Sequence, residues 1–421
     1  MKNQILNYVF LILTSFIVFY SAFGFRKQVP LRLEDEFAVF SRPYSASSIK
    51  SAFTGPWIPK GLKDNIRNYY RPFAIVAYSC LYDLFGQDTS KLYLVRQLFS
   101  IIKIAAFFGV LYWLTNRSLF TAFSATILYS ISFKIFDEQV VFQCLPDIIV
   151  TTIFYIILFL FILFSNRQFS RLQTIGIGIS ILFLYIMGLV TKENAFFLVP
   201  TLLIYRLIYT YWGWQQSFSK MTRLFFERKQ IFLFSALFAI SFIYFVIRYY
   251  SLGTQYLISN SYRTGASPLT VAMLNIGNNF ALVPMTYMDR PIAINDLSAI
   301  MKCLSNLVLP SVAIYLLFFR NIDEELKKGI LFSLVLILLN TFFYTQLVRV
   351  RFNSIGNLGC MYLSVVIVKQ IMYYVRSDNV KKYYYQVVFA AMVACLCVYA
   401  IHNAVNIHSR QHPTQVLVRI Q

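Results

Sequence analysis

The segment Leu33-Glu34-Asp35-Glu36-Phe37 lies in the first polar stretch of the chain, which follows an apolar run from Ile5 to Phe23. A bilayer requires about 20 apolar residues per span, so the run can cross it. No convincing small-x-small cleavage site follows the run, and we predict an uncleaved first helix. Carboxylates beside a membrane are costly to desolvate and usually have a function. Asp35 and Glu36 are therefore the first candidate functional residues.

The composition indicates a membrane protein throughout. Of the 421 residues, 58% are hydrophobic and only 13% are charged, where a soluble domain has about 25% charged residues. The net charge is +21, but the Lys and Arg residues lie in short clusters between apolar runs, where orientation signals belong. This distribution argues against a nucleic-acid partner and for membrane lipids or an anionic substrate.

The apolar runs predict an all-α polytopic fold with about eleven spans. We expect one transmembrane domain over residues 1–421, with no soluble domain appended. Residues 269–288 contain several Asn and a Pro, which favours an interfacial or re-entrant segment. Residues 73–85 are apolar but short and are predicted to form a surface helix that Asp83 and Gly86 end. The predicted spans are 5–23, 92–115, 118–134, 147–165, 173–191, 195–213, 231–250, 303–320, 329–348, 355–375 and 385–403.

The positive-inside rule sets the predicted orientation. With the N-terminus inside, the basic clusters fall in inner loops, and the long first loop, residues 24–91, lies outside. The acidic motifs then gather on the outer face, although they come from separate parts of the sequence. The protein is expected in a bacterial cytoplasmic (inner) membrane, with its site facing outward.

The candidate acidic residues suit transfer to a hydroxyl group. A carboxylate can remove the acceptor proton, and Asp35 and Glu36 are the first candidates. The alternative is a solvated loop in which they pair with nearby arginines. Asp137 and Glu138 lie in a short outer loop and are candidates for a second acidic contact. Asp147 follows Pro146, and it either joins this site or caps the next helix.

The candidate cations suit a phosphate. In Thr191-Lys192-Glu193-Asn194, Lys192 and Glu193 form a compact charged site at the end of a span, and Lys is suited to a phosphate oxygen. The alternative is an interfacial lysine that extends to water. Arg248 lies within an apolar run and requires an anionic partner. The other candidate cations, which simple surface anchoring could also explain, are Arg71, Arg349 and Arg351.

Metal and nucleophile chemistry receive little support. The chain has six Cys without a metal-ligand spacing and only three His, all near the C-terminus. A His-based zinc site or a Ser-His-Asp triad is therefore improbable. No cofactor is certain, and a divalent metal held by the acidic residues remains open.

Taken together, these residues resemble the GT-C superfamily of membrane glycosyltransferases, in particular the branch of the protein O-mannosyltransferases and related bacterial enzymes. The resemblance covers about residues 1–250, which it implies is the catalytic module, and residues 251–421 agree only in hydropathy. Where that family often has His-Pro in its second loop, this chain has Lys134-Ile135-Phe136. The matching elements, in chain order, are Glu34-Asp35-Glu36, Tyr70-Arg71-Pro72-Phe73, Tyr82-Asp83-Leu84-Phe85-Gly86, Glu138 with Val140 and Asp147, Thr191-Lys192-Glu193, and Arg248.

The resemblance implies an inverting transfer of a sugar from a polyprenyl-phosphate donor to a glycan, lipid or protein acceptor at the outer leaflet. Asp35 is then the base, and Glu36 and Glu138 help to place the acceptor or a metal. Lys192, with Arg248 or Arg71, holds the leaving lipid phosphate.

Two other functions remain open. A lipid-linked polysaccharide polymerase or flippase is also polytopic and rich in aromatic residues. A flippase is expected to place charges along a central cavity, and a polymerase is expected to have a large late outer loop, for which residues 251–302 qualify. A transporter is disfavoured because no paired repeats or broken Gly/Pro helices are evident.

Overall fold

The computed structural model describes residues 70–131 except 87, residues 145–211, 227–252, 307–319, 322–343 and 355–375, and a few positions between 47 and 53. Within these ranges the regular structure is helical. A 3-10 helix, Glu193–Phe197, lies between α5 and α6. The α-helices, numbered in chain order, are α1 Pro72–Phe85, α2 Thr89–Leu114, α3 Leu119–Ile131, α4 Leu145–Asn166, α5 Arg171–Thr191, α6 Leu198–Tyr211, α7 Arg228–Leu252, α8 Val308–Phe319, α9 Glu324–Phe343 and α10 Gly356–Val375.

The observed helices confirm the predicted all-α polytopic fold. Each predicted span between residues 92 and 375 overlaps one of these helices, although α9 begins at Glu324, before the predicted start at residue 329. Long apolar runs satisfy their backbone only as helices inside a membrane. Four of the described helices, α2, α4, α5 and α7, are long and apolar enough to cross a bilayer. The predicted spans 5–23 and 385–403 and the segment 269–288 lie outside the described residues.

The helix α1 begins and ends where its sequence predicts. Pro72 is its first residue, a position that needs no backbone N–H. Gly86 ends it with φ of +56°, a conformation that costs glycine little. The Gly86 N–H donates to the carbonyl of Tyr82 at 2.7 Å. This geometry confirms the predicted end of the helix.

The predicted span 195–213 differs from the structure at its start. The chain leaves α5 through Lys192, which is extended, and passes through the 3-10 helix before α6 begins at Leu198. Pro200 lies in the first turn of α6, where its missing N–H is tolerated. The resulting helix has 14 residues and is shorter than the predicted span, because the preceding residues are held by ion pairs.

The helices α2 and α4 run side by side in the same direction. Leu92, near the start of α2, packs in one apolar cluster with Leu145 and Ile149 at the start of α4. Further along, a Cβ on Gly109 would meet the ring of Phe159. The first residues of α2 and α4 therefore lie at one end of the bundle, and their last residues lie at the other.

The helices α9 and α10 approach closely at two glycines. A Cβ on Gly359 would lie 2.6 Å from the carbonyl oxygen of Ser333, and one on Gly329 would lie 2.0 Å from the hydroxyl of Tyr362. That hydroxyl is within hydrogen-bond distance of the carbonyls of Leu114, at 3.2 Å, and Leu326, at 3.4 Å. Small residues at helix crossings permit such contacts.

We predict that Gly359→Ala destabilises the protein by about 1–3 kcal/mol, because the added methyl meets a carbonyl that cannot move without shifting α9. Thermal unfolding of the purified protein in detergent measures the effect. Gly176→Ala is the matched control, because a Cβ there meets no atom within 4 Å. Equal unfolding temperatures for the two variants would contradict the close approach.

Candidate functional site

Five of the predicted site residues meet at the end of the bundle where α2 and α4 begin. Arg71 precedes α1, and Asp147 lies in the first turn of α4. Lys192 and Glu193 follow α5, and Arg248 lies near the end of α7. Ion pairs connect these residues into two adjacent groups.

The first group is centred on Glu193. The Nε of Arg71 donates to Oε2 of Glu193 at 3.0 Å, and its Nη2 donates to Oε1 at 2.5 Å. The Nη1 of Arg248 lies 3.8 Å from Oε2 of the same carboxylate. A two-point arginine–carboxylate contact fixes both side chains in one plane. Glu193 therefore ties α1 directly to the end of α5 and attracts α7.

The local backbone explains how Arg71 reaches Glu193. Pro72 disfavours the helical conformation for the residue before it, and Arg71 is not helical, with φ of −141° and ψ of 60°. Its side chain is thus free of the helix that it precedes and extends toward α5. The exposed fraction is 14% for the Arg71 side chain and 32% for the Glu193 side chain, so the pair is partly buried.

The carboxyl of Glu193 is held in its ionised form. Burial on its own would raise the pKa of Glu193, but the charges of Arg71, Arg248 and Lys192 and the hydrogen bond from Arg71 lower that pKa well below its ordinary value. Opposite charges within a few ångströms favour the charged form in this way. Glu193 is therefore an anion at neutral pH and is unsuited to act as a base there.

The second group is the buried pair of Lys192 and Asp147. The Nζ of Lys192 donates to Oδ1 of Asp147, and both residues are buried. This burial does not agree with the alternative that Lys192 extends to water at a membrane surface. Asp147 lies in the first turn of its helix, where an anion also interacts favourably with the helix dipole.

The conformation of Lys192 separates the two groups. Its φ and ψ are −161° and 142°, and neighbouring side chains on extended backbone point in opposite directions. Lys192 is therefore directed toward Asp147, while Glu193 is directed toward the two arginines. A break in the helix at this residue allows adjacent residues of one motif to contact α4 on one side and α1 and α7 on the other.

An aromatic side chain that sequence reasoning missed supports the arginines. The ring of Tyr244 packs against Tyr70 and Phe196, with centroid distances of 5.9 Å and 5.3 Å. Its hydroxyl is 3.4 Å from the carbonyl oxygen of Tyr70. Tyr244 precedes Arg248 by four residues on α7, so the two share a helix face, and that spacing was the available signal. By contrast with Tyr244, Tyr250, which lies two residues after Arg248, is 82% exposed.

Among the described residues, the cluster contains more cations than carboxylates. Three cations, Arg71, Lys192 and Arg248, accompany two carboxylates, Asp147 and Glu193. The Nη1 of Arg248 is buried, and within the described residues no atom accepts a hydrogen bond from it. A buried donor without an acceptor is costly, so this nitrogen is suited to an oxygen of an anionic ligand.

The remaining candidates lie outside the described residues, and their roles stay predictions. Within the part of the chain that the structure describes, no three His, Cys, Asp or Glu side chains are grouped as metal ligands would be. The structure therefore does not test the possible divalent metal. The candidates outside the described ranges are Asp35, Glu36, Asp137, Glu138, Arg349 and Arg351.

Comparison with known proteins supports the fold. The structure is similar to the crystal structure of ArnT from Cupriavidus metallidurans bound to undecaprenyl phosphate, with a TM-score of 0.50 and 12% sequence identity, over 95% of this chain and 75% of that one. No family model matches the sequence, and no curated protein matches it. The chain thus has a polytopic helical fold similar to that of ArnT, as expected for an integral membrane protein. This likeness does not distinguish the O-mannosyltransferase-like branch from others, so that assignment stays a prediction.

We predict that Glu193→Gln lowers the unfolding temperature at neutral pH. The difference in unfolding temperature between this variant and the native protein is expected to become smaller as the pH falls. The folded-state pKa of Glu193 is depressed, so its contribution is present above the ordinary carboxyl pKa and is lost as the pH falls toward the folded-state value. Unfolding temperatures between pH 7 and pH 3 measure this, with the narrowing expected below about pH 5.

Glu324→Gln provides the control for this experiment, because Glu324 forms an exposed pair with Lys327 one turn along α9. Such pairs contribute little. A difference for Glu193→Gln that stays constant across the pH range would show that the arginines do not depress its pKa.

We predict that Lys192→Met alone destabilises the protein by about 3–5 kcal/mol, because it leaves Asp147 charged and buried without a partner. The double variant Asp147→Asn with Lys192→Met is expected to recover part of this loss. A thermodynamic cycle over the four proteins, measured by unfolding in detergent, gives the coupling between the residues. Strict additivity would contradict the buried pair.

Proposed function

We propose that this chain is an integral-membrane glycosyltransferase that moves a sugar from a polyprenyl-phosphate donor to an acceptor hydroxyl. The observation that carries the proposal is the cation-rich cluster of Arg71, Lys192 and Arg248 at one end of a GT-C fold. The similarity to ArnT, which was solved with undecaprenyl phosphate bound, supports a lipid-linked donor. The acceptor is a glycan, a lipid or a protein.

The donor phosphate would bind at Arg248. Its Nη1 is buried, has no hydrogen-bond acceptor within the described residues and lies beyond hydrogen-bond distance of Glu193. Arg71 is committed to Glu193 through two hydrogen bonds, and it positions that carboxylate against Arg248. Lys192, held by Asp147, adds a second positive charge to the field at the site without requiring direct contact with the phosphate.

In the proposed reaction Asp35 removes the proton of the acceptor hydroxyl. The acceptor oxygen attacks the anomeric carbon from the side opposite the phosphate, so the new glycosidic bond forms with inversion. The bond between the anomeric carbon and the phosphate oxygen breaks, and its electron pair leaves with the polyprenyl phosphate. Arg248 stabilises the charge that develops there. Glu36, Glu138 and Asp137 would place the acceptor or a metal.

The proposed location follows from the orientation of the chain. The N-terminus would be inside, and the cluster would face the outer leaflet of a bacterial cytoplasmic membrane. A lipid-linked donor presented in that leaflet suits synthesis of a cell-envelope polysaccharide or glycolipid.

Transfer from purified polyprenyl-phosphate sugars tests the proposal. We expect Asp35→Asn to lower the rate by about 10²–10⁴-fold, the contribution of a general base. We expect Arg248→Gln to lower kcat by about 10²–10³-fold, because it removes a donor that binds the departing phosphate. Arg228→Gln, at the opposite end of the same helix, is the matched control and is expected to retain activity.

Each outcome tests a different part of the proposal. Native rates for Arg248→Gln in a folded protein would remove this residue from the donor site. Native rates for Asp35→Asn would assign the base to Glu36 or Glu138. The absence of transfer from every polyprenyl-phosphate sugar would instead favour a lipid-linked polysaccharide polymerase or flippase.

A further inference from the structure

A second cationic site lies at the other end of the bundle, where α2 and α4 end. The guanidinium carbon of Arg117 lies 4.7 Å from the centroid of the Trp113 ring, and that of Arg167 lies 5.1 Å from it. Arg117 follows α2, and Arg167 follows α4. Two positive charges from different helices therefore lie beside one indole.

The backbone holds Arg117 in this position. Asn116 and Arg117 both have positive φ, of 53° and 59°, which is uncommon for residues other than glycine. The N–H of Arg117 donates to the carbonyl of Tyr112 at 2.8 Å, and that of Asn116 donates to Trp113 at 3.2 Å. The chain therefore turns back at the end of α2 and places Arg117 against Trp113.

Neither arginine forms an ion pair with an acidic side chain of the described residues. Within the described residues, no carboxylate lies within 4 Å of the Arg117 or Arg167 guanidinium, whereas Lys327 and Lys328 at the same end pair with Glu324 and Glu325. Arg171 begins α5, whose first turn contains no acidic residue. A helix N-terminus favours an anion rather than a cation. Among the described residues this corner therefore combines positive features that lack an ion pair, and the nearby carboxylate of Asp323 accepts a hydrogen bond from the Asn116 amide at 3.5 Å.

An exposed apolar surface runs along α5, the helix that follows Arg167 in the chain. Leu172 is 83% exposed, and it follows Arg167 by five residues. The exposed apolar residues recur at intervals of three and four, which places them on one side of the helix. This surface suits acyl chains in the same leaflet as the arginines. The exposed residues of the surface are Leu172, Ile175, Ile179, Phe183 and Ile186.

We propose that Arg117, Trp113 and Arg167 bind the phosphate of an anionic phospholipid whose acyl chains lie along α5. Arginine matches phosphate oxygens through paired N–H groups, and an interfacial indole lies at the level of lipid headgroups. The apolar surface favours a lipid over a soluble phosphate. The site is at the opposite end of the bundle from the Glu193 cluster, so it does not depend on the proposed glycosyl transfer.

Native mass spectrometry of the full chain in detergent tests this proposal. Phosphatidylglycerol and phosphatidylcholine with identical acyl chains are added in separate titrations. The native protein is expected to bind the first lipid at least several-fold more tightly. Arg117→Gln combined with Arg167→Gln is expected to abolish that preference. Lys327→Gln combined with Lys328→Gln removes the same number of charges from ion pairs at the same end and is expected to preserve it.

Three outcomes would overturn the proposal. The first is an unchanged preference for phosphatidylglycerol in the double arginine variant, and the second is an equal loss of that preference in the double lysine variant. The third is complete displacement of phosphatidylglycerol by millimolar inorganic phosphate, which would assign the site to a soluble anion. If the double arginine variant is not monodisperse, each single variant replaces it. Each is then expected to lose part of the preference, and unchanged preference in both would also overturn the proposal.

Discussion

The extended conformation of Lys192 organises the candidate site. If the helix continued through Lys192, the side chains of Lys192 and Glu193 would point only about 100° apart. These two neighbouring residues would then not point in opposite directions, toward α4 on one side and α7 on the other. The extended residue instead directs Lys192 to Asp147 and Glu193 to Arg71. Four helices, α1, α4, α5 and α7, are thereby connected by charges at one end of the bundle. In an apolar surrounding such charges are strongly held, because separating them leaves an unpaired ion.

The sequence predicts the spans well, since each apolar run must form a helix whatever its neighbours are. It also identified the charged residues that meet, through their expected location on one face of the membrane. It could not predict their pairing. Arg71 and Glu193 are separated by 122 positions, and no local pattern indicates which carboxylate an arginine contacts. The sequence also did not indicate that Lys192 is buried and donates a hydrogen bond to Asp147.

The shortened α6 shows the same limit. Hydropathy favoured a continuous span from residue 195, but the 3-10 helix occupies its first residues. Ion pairs of Lys192 and Glu193 fix the chain just before this point, and this tertiary constraint overrides the local preference. By contrast, Gly86 and Pro72 acted as predicted, because their effects on φ and on the backbone N–H depend only on the residue itself.

The charge of the cluster bears on the proposed chemistry. A polyprenyl-phosphate sugar is a phosphodiester with one negative charge, which the three cations of the described part of the cluster would attract. When the bond to the sugar breaks, the phosphate gains a second negative charge, and its attraction to Arg248 grows. An interaction that is stronger in the transition state than in the bound donor accelerates the reaction. Glu193 contributes by holding Arg71 through both of its oxygens, which leaves the buried Nη1 of Arg248 available to the phosphate.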